Sequence, residues 1–303
     1  MSGCAPTAPD VVTLNAIEAV SIPWLPPGHT KVLPGRGEIF YRHHVHPDPD
    51  APVLLLLHGW TASADLQFFA AYEALGETCS FVAVDHRGHG RGIRSLSPFR
   101  LEDAADDAAA LVRALGIEQV TTVGYSMGGP ISLHLAYRHP DLVRALVLEA
   151  TALEWREKRW ERARWRAVSL LGPMLRSFAY PRWLRRAMHS LLGAGHPFHQ
   201  YLPWLITEMR RTDPTVVVEA GFALSRYDAR PWASTLGKPA AVLVTTEDRL
   251  VPPRKQYELA RALDATVHEL RGDHLCTLVQ PDEYAAVSRK VLQHVFDVPS
   301  LGE

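Results

Sequence analysis

The chain has 303 residues, of which 47% are apolar, and its formal net charge is -1 at pH 7. A chain of this size and composition can bury a large core, either as one α/β domain or as one domain with an insertion. The balanced charge argues against a nucleic-acid partner, because neutralising many phosphates requires a strong excess of Lys and Arg. Three cysteines are too few for a disulfide framework, which favours a reducing compartment and a cytoplasmic location.

Residues 1–29 are rich in Pro and Ala, show little periodicity and are predicted to form an N-terminal extension. The first ten residues contain neither a basic residue nor an apolar segment, so we expect no secretory signal. A hairpin is predicted over 31–45, turning at 34–37. Its histidines, His43, His44 and His46, include neighbours that point to opposite faces of a strand, and no carboxylate or Cys accompanies them at ligand spacing. We therefore predict no metal site, and no cofactor.

Apolar strands alternate with helices over residues 53–150. The uninterrupted apolar run at 53–57 is typical of a strand covered on both faces of a parallel sheet, and it is far shorter than the roughly 20 residues that cross a bilayer. A helix capped near Ser63 follows it. A second strand at 81–84 leads to a helix over 101–115, which ends at Gly116. Three acidic residues are predicted to form a solvated face of that helix: Asp103, Asp106 and Asp107.

The strand at 120–125 stops at Ser126, and a helix with apolar residues at helical spacing follows until His139. Glycine stands two residues before and after this serine, at Gly124 and Gly128, and lets the neighbouring chain approach a sharply turned backbone. Such a turn lifts the serine hydroxyl clear of the sheet edge. The backbone N–H of Met127, at the helix start, then points to where an oxyanion would form.

The alternation stops over residues 151–232, which we predict to be a helical cap inserted into the sheet domain. The segment is rich in Trp and carries 13 Arg and one Lys against seven acidic residues. A helix is predicted at 160–171. Because Trp155, Trp160 and Trp165 step by about 140° around a helix, they do not mark one apolar side, and membrane docking is not favoured. Alternation resumes over 233–303, so residues 30–150 and 233–303 are predicted to form the core, a mostly parallel, doubly wound α/β sheet.

Five motifs together resemble the α/β-hydrolase superfamily, and the resemblance covers nearly everything from about residue 30 to 297. In chain order they are His58-Gly59-Trp60, Asp85-His86-Arg87-Gly88-His89-Gly90, Gly124-Tyr125-Ser126-Met127-Gly128-Gly129, Asp248 within Glu247-Asp248-Arg249-Leu250-Val251-Pro252, and Gly272-Asp273-His274. The resemblance implies Ser126 as nucleophile, His274 as base and Asp248 as the acid that orients the base. It also implies an oxyanion hole made by the backbone N–H groups of Trp60 and Met127, with the Trp60 and Tyr125 side chains binding substrate.

Chemistry gives independent reasons for this set, because a serine hydroxyl needs an imidazole to take its proton and the imidazole needs a carboxylate. Glu149 also ends a strand, and some relatives place the acid there. Asp248 is preferred because it follows a strand and precedes Val251-Pro252. Glu247 stands where many relatives have glycine, and its carboxylate has no assignable role.

The predicted function is hydrolysis of a carboxylic ester with an apolar acyl group, through an acyl-enzyme. A serine at position 126 argues against the relatives that attack with aspartate, the epoxide hydrolases and haloalkane dehalogenases. Carbon–carbon, amide and thioester hydrolysis use the same triad and stay as alternatives. A third class, a non-catalytic ligand-binding member of the superfamily, usually has a damaged triad, and here all three positions are filled. The sequence does not fix an oligomeric state.

Overall fold

The computed structural model describes residues 21–156, 159, 161, 165, 186, 188, 190–193 and 195–297. Within them the strands are β1 Gly28–Leu33, β2 Gly37–His44, β3 Val53–Leu57, β4 Ser80–Val84, β5 Val120–Tyr125, β6 Val143–Glu149, β7 Ala240–Thr245 and β8 Thr266–Leu270. These form one eight-stranded sheet in the order β1-β2-β4-β3-β5-β6-β7-β8. β2 pairs antiparallel with both β1 and β4, and every other pairing is parallel. The predicted mostly parallel sheet is confirmed.

The α-helices that the structure describes with full bounds are α1 Ala64–Phe68, α2 Tyr72–Gly76, α3 Leu101–Ala114, α4 Gly128–Arg138, α5 Leu202–Met209, α6 Pro214–Arg226, α7 Pro253–Ala262, α8 Cys276–Val279 and α9 Pro281–Asp297. Two short 3₁₀ segments are Pro197–Tyr201 and Ala233–Thr235. In the described part of the chain, no helix combines the length and apolar character needed to cross a membrane.

Two apolar clusters cover the two faces of the sheet. Along β3, Leu55 and Leu57 belong to one cluster, whereas Leu54 and Leu56 belong to the other. Successive side chains of a strand point to opposite faces, so an uninterrupted apolar run is what a strand between two helical layers requires. Burial of both faces explains why β3 lacks the polar–apolar alternation of a half-exposed strand.

The single helix predicted after Ser63 is in fact two. Ser63 caps α1, with its hydroxyl accepting the backbone N–H of Leu66 at 3.2 Å, as the sequence predicts. The chain then turns between α1 and α2. Phe69 lies at that break, and its ring packs against Phe198 and Trp204, which precede or belong to α5. Tertiary packing therefore overrides the helical spacing.

The predicted solvated face of α3 is wrong for Asp107. This side chain is only 2% exposed and accepts hydrogen bonds from Arg87 at 2.7 and 2.8 Å and from Arg36 at 2.9 Å. Asp106 pairs with Arg138 and His139. A buried carboxylate is stable here because the two guanidinium groups satisfy it. The helix itself ends as predicted, with Gly116 in the left-handed region at φ 71°.

Residues between β6 and β7, which we call the insert, supply α5 and α6. The helix predicted at 160–171 lies mostly outside the described residues; Glu161 and Trp165, which are described, are helical. The two ends of the insert meet, because Glu154 forms an antiparallel bridge with Asp228 and Ala229 donates its N–H to Leu153 O at 2.8 Å. The division into a core and a cap domain remains a prediction.

Strand register decides which loops meet at the carboxyl edge of the sheet. Leu57 of β3 pairs with Gly124 of β5, so the chain leaving β3 runs beside Ser126. Thr245 of β7 pairs with Leu270 of β8, so the segments that carry Asp248 and His274 leave the sheet side by side. Ligands of open α/β sheets bind at this edge.

Candidate active site

Ser126 sits on a strained turn between β5 and α4. Its φ is 52°, in the left-handed region, and its backbone N–H donates to Glu149 O at 2.8 Å. A Cβ on Gly128 would lie 1.9 Å from Leu57 O, and a Cβ on Gly124 would lie 2.4 Å from Ser132 Oγ. Only glycine fits at these close approaches, and the packing they allow holds the serine in its costly conformation.

The structure brings the three predicted triad residues together. His274 Nε2 lies 3.0 Å from Ser126 Oγ, and His274 Nδ1 lies 2.7 Å from Asp248 Oδ2. With Nδ1–H donating to the carboxylate, Nε2 is left to accept the serine hydroxyl. The His274 side chain is 11% exposed and that of Asp248 is 0% exposed, so this series of hydrogen bonds is shielded from water.

Asp248 accepts four further hydrogen bonds, from the end of β7, from its own loop and from α7. Oδ1 accepts the backbone N–H groups of Leu250 and Val251, both at 2.8 Å. Oδ2 accepts the Thr245 hydroxyl at 2.9 Å and, at 3.5 Å, the amide of Gln256. These bonds fix the orientation of the carboxylate relative to the His274 ring.

The other two carboxylates considered from the sequence are engaged elsewhere. Glu149 is fully buried, and its Oε2 accepts the Tyr284 hydroxyl at 2.7 Å. Burial raises the pKa of Glu149 to about 7, although the bond from Tyr284 opposes this shift. Glu247 is exposed and pairs with Arg271 at 2.7 Å. Of the three carboxylates, Asp248 is the one in hydrogen-bond contact with His274.

The backbone N–H groups of Trp60 and Met127 are free donors beside Ser126. Among the described residues neither has a protein acceptor, although both residues are at least partly buried. A Cβ on Gly59 would lie 3.3 Å from Ser126 Cβ, which places the Gly59–Trp60 peptide against the serine. Unpaired donors near a nucleophile are what an oxyanion hole requires.

The His58 ring fixes the orientation of the Gly59–Trp60 peptide. Its Nδ1 donates to Gly59 O at 2.8 Å, while its Nε2 accepts the backbone N–H of His86 at 3.0 Å. In a trans peptide the C=O and the following N–H point in opposite directions, so a fixed Gly59 carbonyl also fixes the Trp60 N–H. Burial lowers the pKa of His58 well below its ordinary value, so the ring is neutral and keeps this tautomer.

The side chains of Trp60 and Tyr125 both line the pocket at Ser126 and both have structural partners as well. Trp60 Nε1 donates to Val217 O of α6 at 2.7 Å. The Tyr125 hydroxyl donates to His274 O at 2.8 Å, and thereby holds the backbone of the predicted base. Tyr125 is thus both part of the pocket wall and a support for His274.

The pocket over Ser126 has a volume of about 180 Å³. No Asp, Glu, Lys or Arg side chain lines it within the described residues, and its apolar wall includes Leu66, Met188, Leu191, Leu205, Met209, Leu275 and Leu278. Two larger depressions of about 550 and 520 Å³ contain neither Ser126 nor His274. The apolar pocket is therefore the space that Ser126 and His274 face.

The thiol next to the site does not compete with the serine. Cys276 lies two residues after His274, and burial raises the pKa of its thiol to about 12. A thiol that stays protonated is a poor nucleophile.

A nucleophilic serine on a strand–turn–helix, with a histidine and an acid arriving from later strands, defines a hydrolase site on a doubly wound sheet. The family model for the alpha/beta hydrolase fold matches residues 52–276. The chain belongs to this family, and it is an enzyme of the hydrolase class.

The similar proteins are named for the hydrolysis of an ester, a carbamate or a lactone. A pimeloyl-[acyl-carrier protein] methyl ester esterase from Neisseria meningitidis is 29% identical over 258 residues, covering 83% of this chain and 80% of that protein. A putative carbamate hydrolase RutD from Serratia proteamaculans is 30% identical over 224 residues, covering 71% of this chain and 80% of that protein. The solved enol-lactonase of Burkholderia xenovorans has the same fold, with a TM-score of 0.73 at 23% identity, covering 88% of this chain and all of that one.

Several residues that support the site were missed in the sequence. Gln256, 0% exposed, accepts the backbone N–H of Thr245 and donates to Val251 O, which braces the loop of Asp248. Gln67 and His58 similarly contact the loop of Gly59. No spacing rule marks a buried glutamine on a helix, since its partners belong to other elements and loops. His58 could have been found, because it directly precedes the predicted oxyanion peptide.

Proposed function

We propose that this enzyme hydrolyses carboxylic esters through a Ser126–His274–Asp248 triad and an acyl-enzyme. The observation that carries the proposal is the continuous set of hydrogen bonds from Asp248 to Ser126, which ends beside the two free N–H groups of Trp60 and Met127. The groups proposed as nucleophile, base, acid and oxyanion donors therefore lie together beside one pocket.

The arrangement supports a two-step reaction. Ser126 Oγ bonds to the ester carbonyl carbon while its proton moves to His274 Nε2, and the negative charge on the carbonyl oxygen faces the two N–H groups. Asp248 stabilises the imidazolium. The carbon–oxygen bond to the alcohol then breaks, with His274 returning the proton to the leaving oxygen. Water, deprotonated by His274, releases the acid from Ser126. Loss of one oxyanion donor typically costs about 3 kcal/mol of transition-state stabilisation.

The pocket supports a compact, uncharged acyl group. Its volume of about 180 Å³ is small, and its wall is apolar. An apolar wall lowers the free energy of an alkyl chain, and offers no partner to a charged group. We propose small apolar acyl esters as substrates, and we expect turnover to fall as the acyl chain lengthens.

Ester hydrolysis is favoured over amide, thioester or carbon–carbon cleavage because relatives named as a methyl ester esterase and an enol-lactonase both act on esters, a lactone being a cyclic ester. One relative is named as a putative carbamate hydrolase, so amide hydrolysis stays an alternative. Substrate profiling distinguishes the two. The buried free thiols Cys79 and Cys276 support the cytoplasm as the location.

The test is Ser126→Ala. The wild-type protein should give a burst of nitrophenol with a p-nitrophenyl ester of a short acyl group and should be labelled at Ser126 by a fluorophosphonate. Ser126→Ala should lose both, with kcat reduced by roughly 10³-fold or more. An Ala variant as active as wild type would end the triad proposal, and a wild type that fails to react with the fluorophosphonate would favour a non-catalytic binding protein.

A further inference from the structure

Gln67 lies in the wall of the pocket, and the proposed reaction has no direct use for it. It belongs to α1 and is 8% exposed. Its side-chain amide bridges two segments that come from opposite ends of the chain, residues 59 and 277. The first segment contains the Gly59–Trp60 peptide, which carries a proposed oxyanion donor, and the second follows the proposed base.

The first contact is to the oxyanion loop. Gly59 N–H donates to Gln67 Oε1 at 3.3 Å, while the Gly59 carbonyl is held by His58 at 2.8 Å. Both polar groups of Gly59 are thus fixed by side chains. The next peptide along carries the Trp60 N–H, so the position of this donor relative to Ser126 depends on these two anchors.

The second contact is to the segment of His274. Gln67 Nε2 donates to Thr277 Oγ1 at 3.3 Å, and Thr277 is 4% exposed. On its other side the same segment is held by the Tyr125 hydroxyl, which donates to His274 O at 2.8 Å. The backbone that carries the base is therefore supported from β5 and from α1.

We propose that Gln67 is a positioning residue that couples the oxyanion loop to the segment of the base, an inference that rests on the proposed function. The amide orientation is determined, because only Oε1 can accept from Gly59 N–H and only Nε2 is an obligate donor to Thr277. Acyl transfer requires the relative positions of the base and the oxyanion donors to be held to within a fraction of an ångström. Gln67 connects these two groups through one rigid, buried side chain without touching the reacting atoms.

The experiment compares Gln67→Met, which keeps the length but removes both hydrogen bonds, with Thr277→Val, which removes only the second. Gln119→Met, at an exposed glutamine that donates to Asp141 O at 3.3 Å, is the matched control. For a short-chain p-nitrophenyl ester, Gln67→Met should lower kcat roughly tenfold, since both bonds are long, with KM within about twofold of wild type. Thr277→Val should lose less, and Gln119→Met should match wild type.

A second measurement separates positioning from simple packing. An alkyl boronic acid forms a tetrahedral adduct with the serine and resembles the transition state, so its affinity for Gln67→Met should fall by the same factor as kcat. A raised KM with unchanged kcat, or an unchanged boronate affinity, would overturn the proposal. If Gln67→Met does not fold, Thr277→Val, which removes the second hydrogen bond and leaves Gln67 in place, carries the test; its kcat must still fall.

Fluorophosphonate labelling of wild-type Ser126 keeps the two proposals distinguishable. If the wild type is labelled and turns over ester while the Gln67 variants match it, only the coupling fails. If the wild type neither reacts nor turns over, the proposed function fails, and the positioning role fails with it.

Discussion

At the scale of single residues, the proposed acid of the triad is distinguished by what its two oxygens accept. Asp248 takes two backbone N–H groups on Oδ1, leaving Oδ2 for His274 and the Thr245 hydroxyl. Glu149 and Glu247 make no such contact, one being bound to Tyr284 and the other to Arg271. The sequence offers three acidic side chains near strand ends and favours Asp248 by its position, and the hydrogen-bond geometry agrees with that preference.

We expect Asp248→Asn to lower kcat by about 10³- to 10⁴-fold, because the amide no longer selects the tautomer in which Nε2 accepts the serine proton. Glu247→Gln, one residue away, should leave kcat within about twofold, since an exposed ion pair contributes little. Steady-state kinetics on one short-chain ester measures both. Equal losses in the two variants would contradict the assignment of Asp248.

At the scale of elements, strand β6 and helix α9 are joined inside the core by Glu149 and Tyr284. Burial raises the pKa of Glu149 to about 7, from an ordinary value of 4.5. The folded protein therefore binds this proton more tightly than the unfolded chain does. The resulting stability is present below pH 4.5 and is lost as the pH rises through 7.

Glu149→Gln keeps a neutral hydrogen-bonding group for Tyr284 and removes this titration. Relative to wild type, its free energy of unfolding should rise by on the order of 3 kcal/mol between pH 4.5 and 8, from the difference between pKa values of about 7 and 4.5. Urea denaturation at both pH values measures it. A difference between variant and wild type that does not change with pH would contradict the prediction.

Buried histidines change the stability with pH in the direction opposite to Glu149. They are present in both the wild type and Glu149→Gln. Burial lowers the pKa of His86 to about 3 and that of His89 to about 4. The unfolded chain then binds protons that the folded one excludes, so these residues reduce stability as the pH falls below 6.5. Comparing Glu149→Gln with wild type at each pH cancels this contribution.

At the scale of the whole molecule, buried ion pairs connect the insert to the rest of the protein. Lys255 of α7 has a side chain only 4% exposed, and it contacts Glu161 at 2.8 Å as well as Glu154. At another position Arg91 bonds Glu208 of α5 and Asp65 of α1. These pairs join the first and later parts of the insert to the core.

Lys255→Met should destabilise the protein by about 3–5 kcal/mol, because it removes a buried cation that pairs with Glu154 and Glu161. Arg271→Met, which breaks the exposed pair with Glu247, should cost no more than about 1 kcal/mol. Chemical denaturation gives both values. A Lys255→Met protein as stable as Arg271→Met would show that the buried cluster is not what fastens the insert.

The sequence predicts the sheet, and the meeting of Ser126, Asp248 and His274, far better than it predicts the contacts around them. Uninterrupted apolar runs and glycines at required close approaches are local signals, so β3, β5 and the turn at Ser126 could be located without coordinates. Gln67 bonds a residue 210 positions away, Asp107 one 20 positions away, and Gln256 one 11 positions away. Such contacts leave no periodic pattern, because each partner belongs to a different element.

The bond from the Trp60 indole to Val217 of α6 makes this indole a reporter of the position of α6. If α6 moves away, this indole loses its acceptor, and its N–H signal in an NMR spectrum should shift and exchange faster with solvent. The backbone of the same residue carries one of the proposed oxyanion donors. Movement of α6 and a change at this proposed donor should therefore be visible at one and the same amino acid.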